Sequence, residues 1–227
     1  MSLSNTRFDL SRDALRELNA TLQAAGAGSF EVVNPGGAHS VAVGLMAPIE
    51  VIVRGHCGYY AAGMNKHASV VIEGNAGTGV AENIMSGTVR VKGDASQSAA
   101  ASGRGGLVVI EGSASARCGI SMKGVDIVVG GDVGHMSAFM AQAGRLVVLG
   151  DAGADLGDSI YEAELYVAGR VASLGADCEE KPMEEAHRAA LAELLDRAGL
   201  AADPAKFRRY GSARRLYTFN IDNMDAY

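Results

Sequence analysis

The chain has 227 residues and a formal net charge of −6 at neutral pH. A surface that binds nucleic acid or an anionic membrane needs clustered lysine and arginine, which an acidic chain disfavours, so we expect neither as a partner. No apolar run approaches the roughly 20 residues of a membrane span, and the N-terminus lacks the apolar core of a signal peptide, which predicts a cytoplasmic protein.

The N-terminal region, residues 1–30, is predicted to be a helical arm. Residues 11–25 have amphipathic periodicity, with Ser11 in the N-cap position and Gly26 directly after the last turn. Such a helix is a natural cap for a repeat domain, whose end coils otherwise expose core and strand edges. The predicted apolar face consists of Leu15, Leu18 and Leu22.

A glycine recurs every 19 residues through the middle of the chain, and this period decides the predicted fold. Each glycine follows an aliphatic triplet, such as Val51 to Val53 before Gly55, which is typical of a short strand ended by a bend. We therefore predict an all-β solenoid over residues 31–178, a right-handed parallel β-helix with 19-residue coils, flanked by N- and C-terminal helices. The repeat glycines are Gly55, Gly74, Gly93, Gly112, Gly131, Gly150 and Gly169.

Alternation within the triplets predicts which side chains face the core. The first and third residues are always aliphatic and should point inward, while the middle residue points outward. These middle residues, which we call the outer column, are mostly apolar, so something must cover them: the chain's own C-terminal helix or a partner protein. The outer column comprises Ile52, Val71, Arg90, Val109, Val128, Val147 and Tyr166.

Three further columns follow from the same period. The positions two and seven residues after each glycine hold mostly small side chains, so the coil is expected to be narrow there. Cys57 belongs to the first of these columns and is interpreted as a small core residue. The residue before each glycine alternates in charge over four coils, which predicts a solvated charge ladder. The ladder residues are Arg54, Glu73, Lys92 and Glu111.

The C-terminal region, residues 179–227, is predicted to contain a helix and an extended tail. Pro182 occupies a first-turn position and Gly199 marks the end of the helix. The segment after Gly199 is rich in arginine and aromatic residues without any period, which favours an assembly element. Apolar side chains at helical spacing are Met183, Leu191, Leu194 and Leu195.

No residue is assigned to catalysis, cofactor binding or metal binding. The five histidines have no HxH or HExxH spacing, and the three cysteines are widely separated in the sequence without a CxxC motif. His135 is interpreted as a corner residue of the solenoid. Glycine pairs such as GNAGTG precede another strand and not the helix that a nucleotide loop needs. A carbohydrate-active β-helix enzyme would need an outer groove of acids and aromatics, whereas the outward positions are mainly aliphatic.

Several segments resemble a known family. GVAENIMSGTVRVKG and GHMSAFMAQAGRLVVLGDAG are similar to the GxGxG-repeat domain that ends the large subunit of glutamate synthase, over about residues 30–175. Met85, Ser86 and Gly87 match its pattern directly, as do residues 147–150. The whole chain, including GYYAAGMNKHA and the ending YGSARRLYTFNIDNMDAY, looks closest to the stand-alone third subunit of N-methylglutamate synthase and related glutamate-synthase-like complexes.

The resemblance implies a structural subunit of a larger enzyme, with no catalytic residues of its own. Its expected partners are a glutamine-amidotransferase-like subunit and a glutamate-synthase-like subunit that carries FMN and iron–sulfur clusters, while this chain carries no cofactor. The implied reaction converts methylamine and L-glutamate into N-methyl-L-glutamate and ammonia, a step of methylamine metabolism. A β-helix subunit of a formylmethanofuran dehydrogenase-type complex is the alternative.

Overall fold

A computed structural model describes residues 5–214 as one parallel β-solenoid with two helices. All eleven strands belong to a single sheet in the order β1-β2-β3-β4-β5-β6-β7-β8-β9-β11-β10. The strands are β1 (Asn5–Asp9), β2 (Ser29–Val33), β3 (Glu50–Arg54), β4 (Ser69–Ile72), β5 (Thr88–Val91), β6 (Leu107–Ile110), β7 (Lys123–Val129), β8 (Ala143–Val148), β9 (Glu164–Val167), β10 (Cys178–Lys181) and β11 (Arg208–Ser212). The helices are α1 (Leu15–Ala24) and α2 (Glu185–Ala198).

The seven aliphatic triplets form strands β3 to β9, which confirms the predicted parallel β-solenoid. Neighbouring strands pair in parallel at the spacing of the repeat, as Val70 does with Val89 and Val89 with Val108. None of the fourteen side chains predicted to point inward exposes more than 1 % of its surface. Burying an aliphatic side chain of this kind contributes about 1.5–3 kcal/mol, so the stacked triplets form one continuous core.

The small-residue column two positions after each glycine forms a second ladder. Its members make parallel bridges from coil to coil, from Cys57 with Ala76 to Ala152 with Val171. In the column seven positions after each glycine, Ala100 and its equivalents are fully buried. Ala176 departs from this pattern and is exposed, because the last coil shortens: Leu156 pairs with Leu174, whereas the period would pair it with Gly175.

The same stretch of each coil has an unusual backbone. In the six coils from Gly55 to Gly150, the residues five, seven and nine positions after the glycine have positive φ. This conformation is costly for residues other than glycine. The alternation directs successive N–H groups to opposite sides: Ser98 and Ser102 donate to the following coil, and Ala100 donates to the preceding coil. The coil-to-coil hydrogen bonds offset the strain by leaving no amide of this set unpaired.

A ladder of polar side chains links the coils at the bend after each strand. The residue following each of the first six repeat glycines accepts a hydrogen bond from the backbone N–H one coil later, at 2.7–3.0 Å. The residue types differ, but each supplies an oxygen or nitrogen acceptor. We call this set the acceptor ladder: His56, Asn75, Asp94, Ser113, Asp132 and Asp151.

At five of the seven repeat positions, the acceptor ladder explains why the residue is glycine. Of the seven repeat glycines, only Gly55 has a positive φ. At Gly112, an added Cβ would overlap Asp94 Oδ1 and would lie 2.9 Å from the carbonyl oxygen of Gly93. At Gly74 it would meet the backbone of Gly55 instead, at 2.7 Å. Close approach of the preceding coil therefore excludes any side chain here.

We predict that Gly112→Ala lowers the free energy of unfolding by about 1–3 kcal/mol, because the new methyl group forces adjacent coils apart. Thermal unfolding followed by circular dichroism measures this loss. Gly26→Ala is the matched control, since its Cβ would meet nothing within 4 Å. Equal melting temperatures for Gly112→Ala and the wild type would contradict the packing argument.

The N-terminal region contributes more than the predicted helix. Strands β1 and β2 extend the sheet beyond the repeat, and α1 begins at Leu15, not at the predicted N-terminus near Ser11. Ser11 does not cap the helix, because its N–H and hydroxyl groups both donate to Asp9 Oδ1 at the end of β1. Leu18 and Leu22 are buried against the first coil, as predicted.

The C-terminal region returns to the sheet after α2. Strand β11 pairs antiparallel with β9, and β10 pairs antiparallel with β11, so these strands close that end of the stack. Helix α2 begins at Glu185, shortly after Pro182, with Glu184 and His187 forming a capping box. It ends at Gly199, which has φ +63°. The predicted assembly tail lies outside the described residues from position 215 onward.

Candidate interaction surfaces

Helix α2 covers one part of the outer column. Val109, Val128, Val147 and Tyr166 are fully buried beneath it. Of the two covers that the sequence left open, the chain's own helix is therefore the one found over this part of the face. The side chains that pack on it are Leu191, Leu194, Leu195, Ala198 and Phe207.

Arg90 marks the point where this cover ends. Its guanidinium group donates to the carbonyl oxygen of Ala198, in the last turn of α2, and to Glu111 at 2.8 Å. A cation at a helix C-terminus stabilises the carbonyl groups that have no partner within the helix. The one charged residue of the outer column thus fixes the end of α2 over the fifth strand.

Two arginine–carboxylate clusters lie on this side of the sheet, and one of them includes a residue of α2. Asp126 accepts two hydrogen bonds from Arg145, at 2.7 and 2.8 Å, and lies 3.4 Å from Arg197 of the helix. The hydrogen bond with Asp126 raises the pKa of Arg145. Glu164 accepts from Arg209 at 2.8 Å, which ties β11 to β9. Bidentate arginine–carboxylate pairs of this kind add geometric specificity to the apolar contact.

The N-terminal part of the outer column is open. Ile52 and Val71 remain partly exposed and belong to no cluster under α2. They lie in a groove of about 300 Å³ whose other lining includes Glu31, Glu50 and Arg54. We call this feature the open groove. An apolar floor with a polar rim is the usual anatomy of a protein–protein contact.

The rim is fixed by the predicted charge ladder. Arg54 donates to Glu31 at 2.9 Å and to Glu73 at 2.6 Å, and Lys92 lies 4.0 Å from Glu73. These hydrogen bonds, first the one to Glu73 and then the one to Glu31, raise the pKa of Arg54. The predicted attraction between neighbouring ladder residues is confirmed from Arg54 to Lys92. Glu111 instead pairs with Arg90 in the outer column.

The chemically reactive side chains are dispersed or buried. His39 stacks on Tyr59, His56 belongs to the acceptor ladder, and the predicted corner residue His135 is exposed at its bend. Within residues 5–214 there is no group of three or more histidine, cysteine or acidic residues that could hold a metal ion. Burial raises the pKa of Cys57 and of Cys118 to about 12.

We predict that iodoacetamide at about pH 8 leaves Cys57 and Cys118 unmodified in the native protein, because the thiolate is the reacting form and a thiol with a raised pKa stays protonated. After denaturation, mass spectrometry should show alkylation of both and of Cys178, whose pKa burial also raises, to about 11, which confirms that the reagent is active. Rapid alkylation of either buried thiol in the native state would instead identify an activated nucleophile.

None of the helices between residues 5 and 214 is long and apolar enough to cross a membrane.

A known relative spans almost the whole chain. Protein GlxC of Rhizobium meliloti (strain 1021) is 61 % identical to it over 225 residues, which cover 97 % of this chain and 99 % of the relative. No protein-family model matches the sequence. Identity at this level over both full lengths means that the solenoid, α1 and α2 are shared as one unit. The chain therefore belongs to the GlxC protein family.

Proposed function

We propose that this chain is a non-catalytic structural subunit of a cytoplasmic glutamate-synthase-like complex. Its role is to position a glutamine-amidotransferase-like subunit and a synthase subunit that carries FMN and iron–sulfur clusters, while the chain itself holds no cofactor. The proposed reaction is that of N-methylglutamate synthase, in which methylamine and L-glutamate give N-methyl-L-glutamate and ammonia. The resemblance of the GxGxG-type segments supports the complex and the reaction.

The observation that carries this proposal is the half-covered outer column. Apart from Arg90, one continuous sheet face is apolar from Ile52 to Tyr166, yet α2 covers only the part beyond Arg90. The occupant we propose for the open groove is an apolar helix of a partner subunit, because it would continue the packing that α2 makes on the same face. A surface of this kind suits a subunit that binds other proteins.

The rigidity of the solenoid supports a positioning role. Hydrogen bonds join the coils along β3 to β9, along the second ladder and along the acceptor ladder. Seven coils at about 4.8 Å each form a rod about 30 Å long that resists bending. In a glutamate-synthase-like reaction, one site releases a nitrogen donor and another site uses it. A fixed distance between the two subunits would keep the path of the nitrogen donor between these sites constant.

Reconstitution tests the proposal directly. Adding this chain to the purified amidotransferase-like and FMN-containing subunits should restore synthesis from glutamate and methylamine, with the FMN and iron content of each partner unchanged. Full activity of the two partners without this chain would contradict the structural role. A chromophore on the purified chain would contradict the assignment of all cofactors to the partners.

A further inference from the structure

A second surface lies on a different side of the coil from the open groove. The residue eleven positions after each repeat glycine from Gly55 to Gly150 donates its N–H to the coil before it, at 2.7–2.8 Å, so these residues stack one above another. Met46 extends the stack into the preceding coil, because Leu45 beside it accepts from Lys66. All are exposed except the half-buried Lys66. The stacked residues are Met46, Lys66, Met85, Arg104, Lys123, Gln142 and Tyr161.

Exposed apolar side chains are concentrated on this edge. Met46, Met85 and Tyr161 are 54 %, 37 % and 45 % exposed, and Met64 and Met140, two positions earlier in their coils, are 42 % and 39 % exposed. These five are joined by only one other exposed large apolar residue in the described part of the chain, Tyr59, which stacks on His39. We call this surface the methionine edge.

The methionine edge is also basic. Three of its seven stacked residues are cations and none is acidic, although the chain has 26 acidic and 20 basic residues. The nearest acids point elsewhere or are engaged: the Glu82 carboxylate lies over Gly79, and Asp158 accepts from Ser159 and Ala176. Glu162 adjoins only the last coil.

We propose that the methionine edge docks an acidic protein surface that carries apolar side chains, on one of the two catalytic subunits. The inference rests on the proposed function and names a second docking surface for it. Flexible, polarisable methionine side chains adapt to a partner, and charge complementarity selects it. The edge spans about 30 Å over six coil steps, the length of a standard interface.

A second copy of the chain fits this edge poorly. A two-fold axis through the middle of the edge would bring Arg104 against its own symmetry mate, and Lys123 would have no acid opposite it. Nucleic acid also fits poorly, because single-stranded binding uses aromatic platforms between the cations, whereas Met85 lies between Lys66 and Arg104.

Matched charge reversals test the edge. Arg104→Glu/Lys123→Glu should weaken binding to one purified catalytic subunit at least about tenfold at low salt, with a smaller effect at high salt. Met46→Ser/Met85→Ser should weaken the same contact at both salt concentrations, because it removes apolar area. The control is Arg16→Glu/Lys206→Glu, which reverses one exposed arginine in α1 and one exposed lysine after α2, neither of them among the stacked residues.

The outcomes separate this inference from the proposed function. Wild-type chain that binds neither catalytic subunit contradicts both. Wild-type binding that the edge variants leave unchanged, or that the control weakens equally, overturns the edge alone. A DNA oligonucleotide of about 30 bases that binds at physiological salt, and is lost in Arg104→Glu/Lys123→Glu, would overturn the acidic protein partner in favour of nucleic acid.

Discussion

A chain truncated after Gly199 is expected to lose on the order of 5 kcal/mol of stability and to open its last coil. The truncation removes β11, which pairs with β9, and with it Tyr210 in the central core and Phe207 in the cluster under α2, both nearly fully buried. Loss of one buried aromatic side chain costs about 3–5 kcal/mol. Removal of Arg209 also takes away the ion pair of Glu164, which keeps only the hydrogen bond from Tyr166 and the nearby His187.

The measurement is thermal unfolding combined with hydrogen exchange. For a domain of this size, the melting temperature should fall by about 2–4 °C per kcal/mol, and the amides of β9 should lose protection before those of β4. Truncation after Arg214 is the control, because it keeps β11 and removes only the residues beyond the described chain. A wild-type melting temperature after truncation at Gly199 would mean that β11 adds nothing to the fold.

This expectation revises the prediction that the segment after Gly199 is an assembly element only. Its arginine and aromatic content suggested an interface, yet up to Ser212 the segment packs within the chain itself. Arg209 binds Glu164, and Tyr210 reaches the core. A single antiparallel strand with no repeat leaves no periodic signal, so its place beside β9 could not be found from the sequence.

The periodic part of the fold could be predicted because one contact repeats in every coil. An inward residue such as Val89 meets its equivalents in the coils on both sides, Val70 and Val108, so the same kind of side chain is selected each time. Strands β1 and β2 were not predicted, because α1 lies between them and a longer loop separates β2 from β3. Asn5 pairs with Ser29 and Ser29 with Glu50, and both spacings are longer than the period of the later coils.

The acceptor ladder was not predicted from the sequence, for a different reason. Its residues share a hydrogen-bonding capacity and not a size or polarity class, so a search for similar side chains misses the equivalence of His56, Asn75 and Ser113. The repeat glycines were found by their period, but the reason for them is a close contact with the preceding coil, which the sequence does not show. The sequence also did not predict which part of the outer column is covered, because this depends on where the C-terminal end of α2 binds Arg90.

That boundary gives the second large expected effect. Val128→Glu should lower stability by about 3–5 kcal/mol, because it places an unpaired carboxylate under α2, close to Asp126. Burial would raise the pKa of the new carboxyl group in the folded protein above its unfolded value of about 4.3. The charge-dependent loss should therefore be small at about pH 4 and should grow as the pH rises to 7.

Val71→Glu is the matched change in the open groove, since it makes the same substitution in the same column. The new carboxylate keeps contact with solvent and lies beside Arg90 in the neighbouring strand, so stability should change by less than about 1 kcal/mol. If a partner helix covers Ile52 and Val71 in the complex, the same variant should weaken subunit binding at least about tenfold, because the new charge then loses its contact with water beneath an apolar helix. Melting curves and binding titrations of both variants separate the two roles. A strongly destabilised Val71→Glu protein would show that the groove is already covered within the chain, and a stable variant with wild-type binding would show that the partner docks elsewhere.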